Sequence, residues 1–486
     1  MITITDSDDK LEYEKDAANF LGKAQKVYLT ETVEEIVEIV EQHNSSNTPF
    51  TISAARTGLT GGGVPLVGDL ISTERLDKII EIDTVNKTAL LEPGVRLQNF
   101  HDELKQHSLM YPSNPTETWS TIGGNVANNA SGAKTFKYGA TRNFVNYLEI
   151  ILCDGDEIHL KRGENFADGN IARLITVNGK LIEFELPELV VPKSSKNAAG
   201  YYIRPNMDLI DLFIGSEGTL GIIKLIGLNI LDEPEQILSA IIFFDVYNNL
   251  LNFAEHFRNN SDALLKPRLI EYFDHNSLKL LSEQQTAIPE NAIGAIWVEF
   301  ETDNESIDSI MTHLYELTLS YTDIVDLTWV AYNDNERKKI TQFRHNLPLA
   351  VNELLTKYGQ KKIYTDTAVP SDKFRDYYNE MYKQLNTLGL DFVVFGHIGD
   401  CHLHANLFVK NENDKTKAEQ FYNNMVELAI EYKGTFSAEH GVGKIKRPFM
   451  KRMYSEKEIE GMRNIKDIFD PKNLIGINTI FFDREL

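Results

Sequence analysis

An α+β fold in two principal parts is predicted for this 486-residue sequence, on three observations. Short apolar runs with strand character alternate with segments of helical spacing from residue 30 onward. Three stretches crowded with glycine and small polar residues, 53–65, 112–132 and 196–223, fall within the first 232 residues. Past Asp232, Glu233 and Pro234 those stretches stop. Plain strand–helix alternation continues there, which reads as a second α+β domain beginning near residue 233. At roughly 100–200 residues per domain, two or three domains are expected.

The elements follow in order. Val33, Ile36, Val37, Ile39 and Val40 place an apolar face at helical spacing over 30–43. Thr30 opens that helix, and Glu31, Glu34 and Glu35 sit near its start, as a capped helix prefers. Strands are expected at 50–53, 70–72, 79–82 and 90–95, the last broken by Pro93 and Gly94. A helix over 97–107 and a turn over 111–115 follow. The strand 148–152 ends at Asp154 and Gly155, a hairpin signal. Residues 162–191 are weakly patterned and read as an insertion or meander, and a strand over 221–231 closes the first part. The second part opens with strands at 240–244, 269–272 and 294–300 and helices at 248–257 and 306–321. Further on come a strand at 391–398, a turn at Gly399, Asp400 and Cys401, and a returning strand at 402–409.

Composition excludes several classes of function. A net charge of −23 argues against a nucleic-acid backbone or anionic lipid as partner. It leaves room for a small acidic substrate, which needs only a local cationic pocket. No apolar run approaches the length of a membrane span. The N-terminus is acidic and lacks the basic and apolar regions of a signal peptide. Cys153 and Cys401 make no disulfide framework, and an iron–sulfur cluster needs about four thiolates. A reducing cytoplasm is the expected location, with attachment to the inner face of the membrane left open.

The stretch 53–65 follows a strand and holds Gly58, Gly61, Gly62 and Gly63, with Arg56, Thr57 and Thr60 among them. Glycine permits positive φ, and bare N–H groups in such a turn form an anion-binding nest. A phosphate or pyrophosphate is the expected guest. Neither the Gly-Lys-Ser/Thr of a nucleoside-triphosphate loop nor G-x-G-x-x-G is present here. In 112–132 the candidates are Thr121, Gly123, Gly124, Asn128 and Ser131, small residues that admit a flat ligand and amides that supply donors and acceptors. Gly215, Gly218 and Gly221 recur every third residue in the last stretch, read as a further wall of the same site.

The chemistry is placed in the second part. A tight hairpin centred on Asp400 and Cys401 sets His397 opposite His404, and His402 shares their face by the period of two. Histidines gathered this way suit a transition metal. Three of the twelve histidines fall within eight residues, and Glu439 and His440 follow in FSAEHGVG as an oxygen ligand and a proton acceptor. Arg344 offers a planar fork for a carboxylate. Lys444, Lys446 and Arg447 form a basic cluster in an acidic chain.

RTGLTGG, TETWSTIGGNVANNASGAKTFKYG and FIGSEGTLGII resemble the flavin domain of the vanillyl-alcohol-oxidase and methylhydroxylase type. Within it the chain resembles the branch of glycolate oxidase, D-lactate dehydrogenase and D-2-hydroxyglutarate dehydrogenase. That resemblance implies FAD, held without a histidyl bond since the first loop has no histidine. It implies an FAD-binding domain over 1–232, a substrate or cap domain with an antiparallel sheet and the metal site over 233–450, and a C-terminal segment over 451–486 that returns to the FAD domain. Arg56, Thr57, Gly58, Leu59, Thr60, Gly61 and Gly62 would meet the pyrophosphate. Thr121, Gly124, Asn128, Ser131, Gly132, Glu217, Gly218, Gly221 and Ile222 would surround the rest of the cofactor, with Asn478 near it.

GHIGDCHLHAN and SAEHGVG resemble the branch's paired metal motifs. They imply a divalent metal, zinc foremost, on His397, His404 and Glu439, with His440 as base or substrate contact and Arg344 on the substrate carboxylate. Tyr364 to Pro370 resembles a segment that contributes to the pocket. Cys401 stands where the branch has glycine and His402 where it has asparagine. The expected reaction is oxidation of a D-2-hydroxy acid (D-lactate, D-2-hydroxyglutarate or glycolate) to the 2-oxo acid, with hydride passing to the flavin and metal assistance. A separate quinone, electron-transfer flavoprotein, cytochrome or oxygen takes the electrons, and a homodimer is left open. The alternatives are an ether-lipid-synthase-like flavoenzyme, against which the histidine pattern speaks, and a flavin-binding subunit of a larger complex.

Overall fold

The structure is a computed structural model that describes residues 1–259, 262, 264–282 and 287–482. Near the N-terminus the strands Val27–Leu29 and Phe50–Ser53 flank Asp69–Ser72 in parallel, and Ile2–Ile4 adds antiparallel to Val27–Leu29. The helix Val33–Ser46 buries Ile36, Ile39 and Val40 against Phe50 and Ile71 of this sheet. Its cap is Thr32, which accepts from the Glu35 N–H, rather than Thr30. Thr30 is diverted because its Oγ1 donates to the Ser72 carbonyl at 2.8 Å, tying it to the sheet.

A second sheet is antiparallel, in the order Ile79–Asp83, Thr88–Leu91, Ile222–Asn229, Val145–Ile151, Glu157–Lys161. Within 162–191 a hairpin pairs Ile171–Ile175 with Leu181–Glu185, its buried and exposed residues alternating. The C-terminal helices Arg447–Met453 and Glu456–Phe469 bury Met450, Met462, Ile465 and Phe469 in the same core as Phe184 and Phe213. Beyond them the chain runs beside Phe50, which donates to the Leu474 carbonyl and accepts from the Gly476 N–H.

Seven antiparallel strands form the third large sheet. Their order is Trp329–Ala331, Gln236–Phe244, Gly294–Thr302, Pro267–Asp274, Phe392–His397, His402–Val409, Lys361–Tyr364. Its two faces separate by the period of two. Leu238, Ala240, Ile242 and Phe244 pack toward Tyr247–Arg258, Phe374–Leu388 and Glu412–Glu431. Ile241, Phe243, Phe273, Trp297, Phe395 and Phe408 pack toward the helix Asp334–Lys357. No helix among the described residues is long and apolar enough to cross a membrane.

The histidine hairpin differs from its expected register. His397 pairs with His402, and His404 pairs with Phe395. The turn is wider than a two-residue loop: Ile398–Asp400 makes a short helical turn and Cys401 closes it in the left-handed region at φ 54°. The register therefore slides by two residues. An even slide returns every side chain to the same face, so all three histidines still share one side of the sheet.

Candidate active site

The face that packs under Asp334–Lys357 is apolar toward one end and ionic at the other. Glu271 lies between Leu269 and Phe273, His397 follows Phe395 by two, and His402 and His404 lead to Phe408 by twos. Arg344 enters from the helix beside Phe343 and Leu347. Pro348 lies inside that helix and lacks the N–H that would bond the Arg344 carbonyl. The Arg344 Nε donates to Glu271 Oε2 at 2.8 Å, and its guanidinium lies 5.0 Å from the Phe395 ring centroid. Its Nη1 is buried with no hydrogen-bond partner among the described residues.

Glu439 reaches this face from the loop after Glu412–Glu431. The loop is pinned by Asp366, whose carbonyl accepts from the Ala438 N–H and whose carboxylate accepts from Ser437 Oγ and the His440 N–H. Lys446 also pairs with that buried carboxylate. Glu439 Oε2 is held by Lys196 Nζ and Ser131 Oγ, each at 3.1 Å. Oε1 is thereby left facing His404 Nε2 at 3.3 Å and His397 Nε2 at 3.4 Å. Two ligands of a tetrahedral ion about 2.1 Å away stand about 3.4 Å apart, so this spacing suits a cation between them. His397 Nδ1 is bonded to Glu271 Oε1 and His404 Nδ1 to the Thr365 carbonyl, which leaves both Nε2 atoms turned to Glu439. The donor set therefore fits a divalent metal.

The charges of the cluster are coupled to one another. Burial raises the Glu439 carboxyl, but Lys196 and His397 outweigh it and hold the group well below the usual range. Burial lowers His397, and the charges of Glu271 and Glu439 with the Glu271 hydrogen bond together outweigh it, bringing it up to about 9, so a cation would have to displace the Nε2 proton. Burial dominates at His440 and pushes it down to about 4, so its imidazole is neutral near pH 7. His440 stacks on His404 with centroids 5.4 Å apart and meets the Tyr364 ring edge-on at 5.8 Å. Its Nδ1 stands 3.3 Å from Asp366 Oδ2.

The glycine loop lies against the loop that carries His440. The Thr60 carbonyl accepts from the N–H groups of Lys444 and Ile445, and Lys444 Nζ donates to the carbonyls of Gly61 and Gly62. With those carbonyls bound, no N–H of Thr57, Gly58, Leu59, Thr60, Gly62 or Gly63 has a protein acceptor among the described residues. A Cβ at Gly58 would stand in open space. A run of unsatisfied N–H groups beside open space fits a pyrophosphate.

Residues 24–161 match the family model described as "FAD binding domain", and residues 233–476 match "FAD linked oxidases, C-terminal domain". The chain belongs to the FAD-linked oxidases. It is an FAD-dependent oxidoreductase of the vanillyl-alcohol-oxidase type, in the branch that contains its relatives. Glycolate oxidase subunit GlcD of Bacillus subtilis is 28% identical over 93% of this chain and 87% of its own. D-lactate dehydrogenase of Archaeoglobus fulgidus is 27% identical over 91% and 88%. D-2-hydroxyglutarate dehydrogenase of Xanthomonas citri is 28% identical over 94% and 89%. Among solved structures, 4-ethylphenol oxidase from Gulosibacter chungangensis shares the fold, with TM-score 0.70 and 15% identity over 99% of this chain and 94% of that one.

In this FAD-linked oxidase, His397, His404, Glu439, His440 and Arg344 form one cluster. The candidates for the flavin are more scattered. The Arg56 side chain turns away from the loop to Ala54, Glu74, Glu12 and the Tyr13 ring. Thr121 caps the helix Ile122–Ala127 by accepting from Gly124, and the Asn128 amide donates to the Gly124 carbonyl. Ser131 sits on Glu439, while the Gly132 carbonyl takes Lys196. Glu217, at φ 53°, accepts from the N–H groups of Val442 and Gly443. Gly218 is left-handed, and Gly221 lies against Ile150 ahead of Ile222 in its strand. Asn478 accepts from Arg447.

Sequence reasoning missed Glu271, Asp366 and Lys196. A carboxylate set between Ile270 and Tyr272 in the middle of the fully buried strand Pro267–Asp274 is the signal that marks Glu271. Lys196 heads the third glycine stretch, and Asp366 lies in the segment singled out for the pocket; neither position alone predicts its partner.

Proposed function

We propose that this chain oxidises a small D-2-hydroxy acid, D-lactate, D-2-hydroxyglutarate or glycolate, to the 2-oxo acid. The observation that carries the reading is Arg344, a buried guanidinium beside the histidine cluster with one nitrogen committed to Glu271 and another without a partner among the described residues. An unmatched buried cationic donor suits an acidic substrate. The names of the relatives support the substrate class.

His397, His404 and Glu439 would hold a divalent cation, zinc foremost, and the free N–H groups of 57–63 with the two later stretches would hold FAD. When bound, FAD supplies the two-electron acceptor and the cation supplies Lewis acidity. Arg344 Nη1 donates to the substrate carboxylate and fixes its orientation. His440 keeps Nδ1 toward Asp366 and accepts the hydroxyl proton on Nε2, as a neutral imidazole can. Loss of that proton, together with the Cα–H hydrogen and its electron pair, leaves the 2-oxo acid. The division into 1–232, 233–450 and 451–486 is supported by the first strand of the seven-stranded sheet at Gln236 and by the run of the last segment beside Phe50. A separate acceptor takes the electrons onward, and the word "subunit" in the name of the Bacillus relative favours a flavin-bearing component of a complex as the second reading.

The test is anaerobic titration of the oxidised protein, with zinc restored, against D-lactate, D-2-hydroxyglutarate, glycolate and the L-enantiomers. Bleaching of the flavin band by one acid supports the reading and names the substrate. A yellow protein that none of them bleaches overturns it and favours the accessory component.

A further inference from the structure

The third histidine of the cluster has a position that the set of His397, His404 and Glu439 does not account for. His402 is fully buried; its Nε2 lies against Asp366, and its Nδ1 has no hydrogen-bond partner among the described residues. A fully buried ring nitrogen without a partner is rare in folded proteins and calls for a reason. The ring is placed between two carboxylates. Its Nε2 stands 3.0 Å from Asp366 Oδ1, and its Nδ1 stands 3.8 Å from Glu439 Oε2. Its centroid is 4.4 Å from that of His404.

The same pattern holds for all three histidines. Each has its outer nitrogen against an oxygen: His397 against Glu271, His404 against the Thr365 carbonyl, His402 against Asp366. Each has its inner nitrogen toward Glu439. A donor behind the ring and a lone pair in front is how a metal-ligating imidazole is oriented. One donor atom from each of His397, His402, His404 and Glu439 lies within 4.8 Å of the others.

We infer that His402 is a fourth protein ligand, through Nδ1, so that the metal centre of this chain has three imidazoles and one carboxylate. The inference rests on the proposal above that a divalent cation occupies this cluster. It adds the count and kind of ligands. Three imidazoles favour zinc and copper over manganese or magnesium, which prefer oxygen donors. With four protein ligands in place, substrate would have to enter as a fifth donor, an expansion that zinc permits. Asp366 becomes a positioning residue that serves His402 on one side and the His440 loop on the other.

The experiment loads the oxidised holoenzyme with Cu(II) and counts coordinated imidazoles by EPR and ESEEM. It then follows zinc loss to dipicolinate in the wild type and in His402→Asn. Three imidazoles in the wild type, two in the variant and zinc release at least about tenfold faster in the variant support the inference. Two imidazoles in the wild type, or equal release rates, overturn it while the three-residue metal site stands. A wild type that binds neither copper nor zinc at this cluster overturns the metal proposal and this inference together. Should the variant fail to fold, the imidazole count in the wild type alone decides.

Discussion

Replacing Arg344 by Lys tests the carboxylate reading most directly. The guanidinium divides its donors: Nε is bonded to Glu271 Oε2 at 2.8 Å, and Nη1 has no partner among the described residues. A lysine ammonium is a single point on a flexible stem and cannot serve both. Held by the buried carboxylate of Glu271, it gives up the contact with substrate. One charge-assisted hydrogen bond is worth about 1.5–3 kcal/mol, so kcat/KM should fall roughly 10- to 150-fold. The carboxylate is gripped equally before and during reaction, so the loss should appear mainly in KM. The assay is steady-state turnover with an artificial electron acceptor, using whichever hydroxy acid bleaches the flavin. FAD content and unfolding midpoint serve as controls, since the charge beside Glu271 is kept. A variant with kcat/KM within about threefold of wild type, and normal FAD, would refute the assignment of Arg344 to the substrate.

Three further outcomes are expected. His404→Ala should hold its metal far more weakly, measured by metal content after dialysis against a chelator, and drop turnover about 100- to 1000-fold, the several kcal/mol a Lewis acid supplies, while the flavin spectrum is unchanged. Gly443→Ala places a Cβ at φ +52° only 2.1 Å from the Thr60 carbonyl. The left-handed backbone alone costs about 1–2 kcal/mol, and the overlap pushes the glycine loop aside, so FAD affinity should fall at least about tenfold by flavin titration. Burial holds Glu217 up at about 7, against an ordinary 4.5. The folded chain therefore keeps a proton that the unfolded chain has released, and stability falls as pH rises from about 4.5 through about 7, then levels off. Glu217→Gln should remove about 2 kcal/mol of that fall, read from urea unfolding at pH 5 and pH 7.5.

Much of this molecule was legible along the chain, because local physics writes it there. The glycine loop after Phe50–Ser53 follows from the conformations only glycine adopts cheaply, and it did prove to carry unsatisfied N–H groups. The shared face of His397, His402 and His404 follows from the period of two, which survived the wider turn because the register moved by two residues. Periodicity states which face a side chain takes, and nothing about what stands opposite. Glu271 is 126 residues from His397, and Lys196 is 243 from Glu439. Those pairs exist because the sheet, the Asp334–Lys357 helix and the loop at Asp366 pack together and exclude water, where a buried charge must find its counter-charge. The same packing turned Arg56 away from its loop, set Ser131 on Glu439, and aimed His402 at the centre of the cluster. The residue types were in the sequence; their partners, and so their chemistry, came from which buried charges the tertiary fold brought within reach of one another.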